Sequence, residues 1–242
     1  MKIEAPLVAG KLLRRYQRFL ADVALDEGST VTAHTPNTGS MMQCAVPGYR
    51  VLLSRSENPR RKLPFTLERI KVNGFWVDIH THRANDVVEE GLRQSLIRGF
   101  SGFALRREFP YGDSRFDFLL HREQERILLE VKNVTLMYGE GSACFPDAVT
   151  LRGQKHIRAL RKALDEGYRS ILFFLVQRGE ALSFRPADHI DGEYGQLLRQ
   201  AVQAGVEVLA YKTVVTEDET TIAAPLPIFL EAGTGIQDRF IR

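Results

Sequence analysis

Cysteine is nearly absent from this sequence. Cys44 and Cys144 are the only two in 242 residues, and neither belongs to a C-x-x-C pair or a Cys/His cluster. That excludes a disulfide scaffold and a structural zinc module, and makes a reduced, cytoplasmic protein the default. No apolar run reaches the length of a membrane span, and residues 1–6 lack the hydrophobic stretch of a secretory signal. There is no internal repeat, no low-complexity tract, no G-x-x-x-x-G-K-[ST] loop and no G-x-S-x-G elbow. Phosphate cradling by a P-loop and acyl transfer from a serine elbow therefore lose their main support. No helix-turn-helix is recognisable that would enter a major groove.

The chain does have ample material for a core, with 44% hydrophobic residues, enough for one large domain or two small ones. The net charge is only +3 but is unevenly spread. Residues 1–83 carry 13 Lys/Arg against 7 Asp/Glu, and residues 84–242 carry 20 against 23. The first third is thus the better surface for a polyanion. Its basic residues cluster around Arg14, Arg15 and Arg18, next to Tyr16 and Phe19, and around Arg60, Arg61 and Lys62. Arginines beside aromatics on a strand can clamp and stack a nucleic-acid strand; they can equally be a solvated face with Phe19 in a core.

Up to about residue 80 the pattern is short alternating runs, at 16–25, 31–34, 50–54, 65–72 and 76–80, separated by turn residues that include Asn73-Gly74, a strong hairpin signal. This predicts a small OB-like or SH3-like barrel over 1–83. The segment His34 to Met41 is either a Pro-Asn-Thr-Gly turn or a loop presenting Asn37, Thr38 and Ser40 to phosphates or base edges. His80 and His82 flank Thr81 without a third metal ligand nearby, and read as a solvent-facing strand end.

Beyond Arg83 the rhythm changes to a helix at 85–99, strands at 103–109, 115–120 and 126–134, a helix opening at Pro146-Asp147 and running to 166, a strand at 170–176, a helix at 194–204 and a strand at 206–214. The order predicts an α+β domain over 84–231 with a mixed sheet flanked by helices. The loop 137–142 and the tail 232–242 read as mobile. Within this domain Asp117 precedes Glu130 and Lys132 in a D-(x)n-E-x-K arrangement. Two carboxylates can hold Mg²⁺ or Mn²⁺ while it keeps several waters, and an ammonium can offset charge gathering on phosphorus. Strand alternation aims Glu130 and Lys132 to one side. E-x-K on a strand is often only a wet face. Here the flanking residues Phe116, Phe118, Leu129 and Val131 make the strands central, which leaves a structural ion pair or a site. The basic residues that follow, Arg152 and Lys155 among them, are either a wet helix face or phosphate contacts.

With these motifs placed, the chain resembles the sugar fermentation stimulation protein A family. The likeness spans nearly the whole sequence: Arg15-Tyr16-x-Arg18-Phe19, His34-x-Pro36-Asn37-Thr38-Gly39-x-Met41, Asp117-Phe118, Glu130-Val131-Lys132-x-Val134-Thr135, Phe145-Pro146-Asp147 through Arg152-Gly153-Gln154-Lys155-His156, and Leu209-Ala210-Tyr211-Lys212. The resemblance implies an OB-like domain followed by a PD-(D/E)XK nuclease-like domain, DNA binding without sequence specificity, and a part in regulating sugar (maltose) use. RNA as ligand and a homodimer are left open. The nuclease superfamily's roles would make Asp117 and Glu130 metal ligands, Lys132 the catalytic lysine and Glu90 an outer carboxylate. They would make Arg152, Gln154, Lys155 and His156 phosphate contacts. The residue before Asp117 is Phe116, not the proline of the eponymous motif.

Overall fold

The computed structural model describes residues 1–231; the tail expected to be mobile at 232–242 lies outside them. The chain begins with β1 (Leu7–Tyr16), β2 (Leu20–Leu25), β3 (Thr30–His34), β4 (Arg50–Arg55) and β5 (Phe65–Val72). They hydrogen-bond in the order β3-β2-β1-β4-β5, and β3 also pairs with β5, so the five-stranded sheet closes into the expected OB barrel. Alternate residues point inward, and Leu12, Val23, Ala33, Val51, Leu67 and Ile70 fill the lumen. β6 (Phe75–Asp78) returns along β5 through Asn73 and Gly74, which take φ of 49° and 88°, as a tight hairpin requires.

The run expected at 16–25 is not one strand. Gln17 and Arg18 adopt φ of 49° and 65° and turn the chain, so β1 precedes them and only β2 follows. The barrel's first strand was hidden in the sequence because Lys11, Arg14 and Arg15 read as a charge cluster, while its buried positions are Gly10 and Leu12.

The second part comprises α1 (Thr81–Arg93), β7 (Ala104–Tyr111), β8 (Ser114–Arg122), β9 (Glu125–Val134), β10 (Leu136–Tyr138), β11 (Ser142–Phe145), α2 (Leu151–Asp165), β12 (Arg169–Val176), β13 (Ser183–Pro186), α3 (Gly192–Gln203), β14 (Glu207–Val215) and β15 (Thr220–Pro225). Its main sheet runs β15-β14-β12-β9-β8-β7, with β9, β12 and β14 parallel and the remaining neighbours antiparallel. α1 packs Val87, Val88 and Leu92 against Phe118, Leu129 and Phe173 on one face. α2 and α3 pack Ile157, Leu160 and Leu198 against Leu128, Leu172 and Phe174 on the other. This is the mixed-sheet αβββαβ arrangement read from the sequence.

Three local expectations change. α1 starts four residues earlier than expected and ends at Arg93, because Ser95 turns with φ of 57° and leaves Leu96 on the surface. α2 opens at Leu151, capped by Thr150, whose Oγ1 accepts the Gly153 N–H at 3.0 Å. The Pro146-Asp147 pair therefore lies before the helix. Residues 137–142 are not a free loop: β10 and β11 form a hairpin, and β13 adds in parallel to β11 as a small second sheet.

Barrel and sheet are joined by buried charge. Arg69 on β5 is fully buried and donates to the carbonyls of Thr216 and Glu219, the latter at 2.9 Å, and to Thr220 Oγ1 at 3.0 Å. Thr220 Oγ1 in turn donates to Asp78 Oδ2 at 2.8 Å. Arg83 on α1 reaches both Asp78 oxygens at 3.0 Å and pairs with Glu68. The barrel, α1 and the β14–β15 turn therefore share one polar core. Among the described residues no helix is long and apolar enough to cross a membrane.

Candidate active site

The β8–β9 pairing runs from Arg122 opposite Glu125 to Phe118 opposite Leu129 and stops there, while β8 stays paired with β7 down to Ser114. Asp117 stands at this fork. Its Oδ2 accepts the Val131 N–H at 2.7 Å, in place of a ladder bond, and its Oδ1 accepts Asn85 Nδ2 from α1 at 2.7 Å. One residue before Val131, Glu130 faces α2. Its Oε1 accepts Lys132 Nζ at 2.6 Å and His156 Nδ1, while Oε2 is buried with no partner. Strand alternation thus aims Glu130 and Lys132 together, and the fork brings in Asp117.

Burial and the like charge of Glu130 push Asp117 up to about 7, against the pull of the Val131 N–H, Lys132 and Asn85. Burial acts on Glu130 in the same sense. There the Lys132 charge and the His156 hydrogen bond outweigh it, and Glu130 lies below its ordinary value. The two carboxylates are thereby driven apart in proton affinity. A cation between them would relieve both the repulsion and the orphaned Oε2.

These groups open on a cleft of about 390 Å³ with walls from both parts of the chain. The barrel contributes Asn37 and Gly39, α1 contributes His82 and Asn85, and the segment leading into α2 and its first turn contribute Asp147 and Arg152. Four carboxylates line it, Glu108, Asp117, Glu130 and Asp147, against the cations Lys132 and Arg152. The barrel loop is held rigidly at this wall. Arg15 donates to the carbonyls of Asn37 at 2.8 Å, Gly39 at 2.9 Å and Ser40 at 3.2 Å. Asp147 accepts the Met41 N–H at 2.9 Å, and Ser40 Oγ donates to the Asp147 carbonyl at 2.6 Å. A Cβ at Gly39 would lie 3.0 Å from Asn37 Oδ1 and 3.2 Å from Asp147 Oδ2, a close fit that would require these side chains to give by a few tenths of an ångström.

The residues expected to bind nucleic acid divide into two groups. Leu20 pairs with His34, His34 with Thr66, and Arg55 with Phe65, so the β1–β2 turn, the loop after β3 and the β4–β5 loop all gather at one barrel end. That end exposes Arg18, Thr38, Ser40, Arg60, Arg61 and Lys62. It also exposes Phe19, which is 45% accessible and so is not barrel core. Arg152 is likewise exposed, at the cleft.

Within this exposed group Ser40 Oγ is already bonded to the Asp147 carbonyl and one Arg61 nitrogen to Thr66 Oγ1, and the other expected residues are occupied too. Arg15 and Asn37 build the loop described above. Arg14 and Tyr16 converge on Asp22, at 2.8 and 3.1 Å. Gln154 is buried and donates to Asp191 at 3.0 Å, so it is no phosphate contact. Lys155 pairs with Asp113 at 2.9 Å. His156 is buried on Glu130. Glu90 is not an outer carboxylate of this site: it pairs with the Met1 amine, away from the cleft. His82, read from the sequence as part of a solvent-facing strand end, instead lies in the first turn of α1 at the cleft, and Asn85 and Asp147 carry no spacing signature because a polar residue on a helix or a Pro-Asp pair has none. Only the fork in the sheet reveals what faces it.

Residues 13–79 match the family described as the SfsA N-terminal OB domain, and residues 82–219 match the sugar fermentation stimulation protein RE domain. The sugar fermentation stimulation protein homolog of Syntrophotalea carbinolica is 61% identical over 96% of this chain and all of its own length. The chain belongs to the sugar fermentation stimulation protein family. A second homolog in the family, from Citrifermentans bemidjiense, is 50% identical over 95% of this chain and the whole of its own. The structure of Pyrococcus furiosus SfsA in complex with Ca²⁺ superimposes with a TM-score of 0.86 at 27% identity, covering 95% of this chain and 99% of that one. The two-domain arrangement is therefore the family's.

Proposed function

We propose that this protein binds DNA largely without regard to sequence and hydrolyses its phosphodiesters with Mg²⁺ or Mn²⁺ at Asp117, Glu130 and Lys132. The observation that carries the reading is the convergence of these three side chains at the sheet fork, on a cleft walled by both domains, with Glu130 Oε2 buried and unpartnered. The family relative in complex with Ca²⁺ supports a divalent cation in this fold. Among the described residues no three His, Cys, Asp or Glu side chains group as a metal cage. A two-carboxylate site suits an ion that retains several waters, and Asp117 and Glu130 would hold it. Bound there, it would supply Lewis-acid polarisation of the phosphoryl oxygen and a water of lowered pKa.

The chain's own groups do the rest. Asn85 and the Val131 N–H hold the Asp117 carboxylate in place. Lys132 sets its ammonium beside Glu130, where it can offset charge developing on phosphorus. Arg18, Phe19, Arg60, Arg61 and Lys62 on the barrel end hold backbone on the approach to the cleft, as OB loops are able to do.

Lys132→Ala is expected to retain Mn²⁺ binding by calorimetry and to lose cleavage by about a hundredfold or more, the scale of one electrostatic transition-state interaction. Metal binding without cleavage of any DNA or RNA form would favour a second reading, in which the protein binds DNA as a regulator without turnover. The tight Lys132–Glu130 pair, at 2.6 Å, is the feature that favours it. Affinity should fall steeply with salt. Replacing Arg60, Arg61 and Lys62 together by Ala should flatten the log–log slope by about 0.9 for each phosphate of duplex DNA that the loop no longer neutralises. An unchanged slope in filter-binding titrations would show that the β4–β5 loop does not touch the backbone.

A further inference from the structure

We infer that Asn85 and His156 are positioning residues, one from each face of the sheet, which turn the free oxygens of Asp117 and Glu130 toward a shared divalent cation. The inference rests on the metal reading above and goes beyond it, because neither residue belongs to the D-E-x-K pattern and His156 stood in the sequence as a phosphate contact.

The geometry is asymmetric in an informative way. Glu130 Oε1 receives two donors, Lys132 Nζ at 2.6 Å and His156 Nδ1, and Oε2 receives none. A carboxylate oxygen can accept about two hydrogen bonds, so Oε1 is saturated and Oε2 is the oxygen left for a cation. His156 Nδ1 must carry the proton it gives to Glu130. Its 3.4 Å approach to Lys132 Nζ is therefore a meeting of two donors and not a second bond. The imidazole is only 5% exposed, which leaves no face for a DNA backbone. On Asp117 each oxygen takes one donor, Asn85 Nδ2 on Oδ1 and the Val131 N–H on Oδ2, both at 2.7 Å, so each keeps a lone pair free. α1 is locked against rotation by Arg83, whose guanidinium is buried in the Asp78 and Glu68 cluster two residues before Asn85. α2 is fixed by Gln154 on Asp191, two residues before His156. Each clamp thus stands on a buried polar anchor of its own helix.

The test is Mn²⁺ calorimetry on the full chain, with binding of a fluorescein-labelled DNA duplex measured in EDTA as the second arm. Asn85→Ala and His156→Ala should each weaken Mn²⁺ about 10- to 100-fold, the usual consequence of removing a partner that orients a metal ligand. Both should bind the duplex in EDTA as the unaltered protein does. Raising Mn²⁺ should restore kcat without moving KM for DNA. His156→Asn, whose side-chain nitrogen falls near the position of Nδ1, should recover most of the Mn²⁺ affinity.

Mn²⁺ affinity within twofold of the unaltered protein in both alanine variants would overturn the inference. So would a loss of duplex affinity in EDTA for His156→Ala, which would mark a phosphate contact, or a His156→Asn variant as weak as His156→Ala. Asn85 is half-buried, and Asn85→Ala carries the test if His156→Ala does not fold. Failure of the unaltered protein to bind millimolar Mn²⁺ would remove the metal reading and this one with it. Binding by the unaltered protein with unaffected variants would remove only this one.

Discussion

Asp117→Asn is expected to abolish metal-dependent cleavage and, at the same time, to raise the stability of the metal-free protein at pH 8. The first effect follows from losing one of the two carboxylates proposed to hold the ion, at a site where no third His, Cys, Asp or Glu groups with them among the described residues. The second follows from the Asp117 carboxyl, held near 7 by burial and by Glu130. In the unfolded chain the same group titrates near ~3.9. Between those values the folded protein keeps a proton that the unfolded chain has released, so stability falls as pH rises from about 4 to about 7, and the full deficit persists above that window. Its ceiling is about 4 kcal/mol at ~1.36 kcal/mol per pKa unit. An amide at this position still accepts from Asn85 but serves the Val131 N–H poorly, so a net gain of about 1–3 kcal/mol is expected at pH 8, shrinking to nothing near pH 4. Urea unfolding in EDTA at both pH values measures it. Added Mn²⁺ should stabilise only the unaltered protein, in proportion to the logarithm of its concentration. A variant no more stable than the parent at pH 8 would show that Asp117 is not under charge strain.

The largest loss of stability is expected from Asp78→Ala. Asp78 is fully buried and is shared by Arg83, Thr220 and, at 3.9 Å, Arg69. Removing it leaves two guanidinium groups buried with one carboxylate, Glu68, between them. Breaking a buried pair in this way costs about 3–5 kcal/mol. Because the network ties β5 and β6 to α1 and to the β14–β15 turn, the loss should also loosen the barrel from the sheet, and the Asn37–Gly39 wall should move away from the cleft. Trp76, the chain's only tryptophan, lies on β6 and reports on the barrel, whereas far-UV circular dichroism reports on the whole chain. A single shared transition at lower urea is the outcome for a cooperative unit, and two separated transitions for an uncoupled barrel. A midpoint unchanged from the parent would contradict the network's role.

Some of this was legible in one dimension. Period-two alternation in the first third and its turn residues announced the barrel, since a half-buried strand must alternate and a hairpin needs Asn-Gly. The three-strand run with Asp117, Glu130 and Lys132 was equally plain, because charges in apolar central strands demand a partner. The strands at β1, β10, β11, β13 and β15 were missed. Most are short or lie at sheet edges, where one unpaired side tolerates charge and no strong pattern is imposed. β1 was masked by its outward-facing lysine and arginines.

The sequence by itself therefore determined the Asp117, Glu130 and Lys132 set and the order of elements that presents it, because both depend on residue type and on spacing along neighbouring strands. Tertiary structure alone decided what each of those residues touches. Arg15 turned from a phosphate ligand into the brace of a loop, and His156 from a DNA contact into a partner of Glu130. Asp147 changed from a helix opener to the acceptor of a barrel N–H, and Asn85 joined the site without any motif. These assignments depend on where β8 parts from β9 and where the barrel docks, that is, on contacts between residues 22 to 106 positions apart in the chain. A local pattern carries no information about which distant donor will find a buried carboxylate; only the closed packing of barrel, sheet and helices selects it.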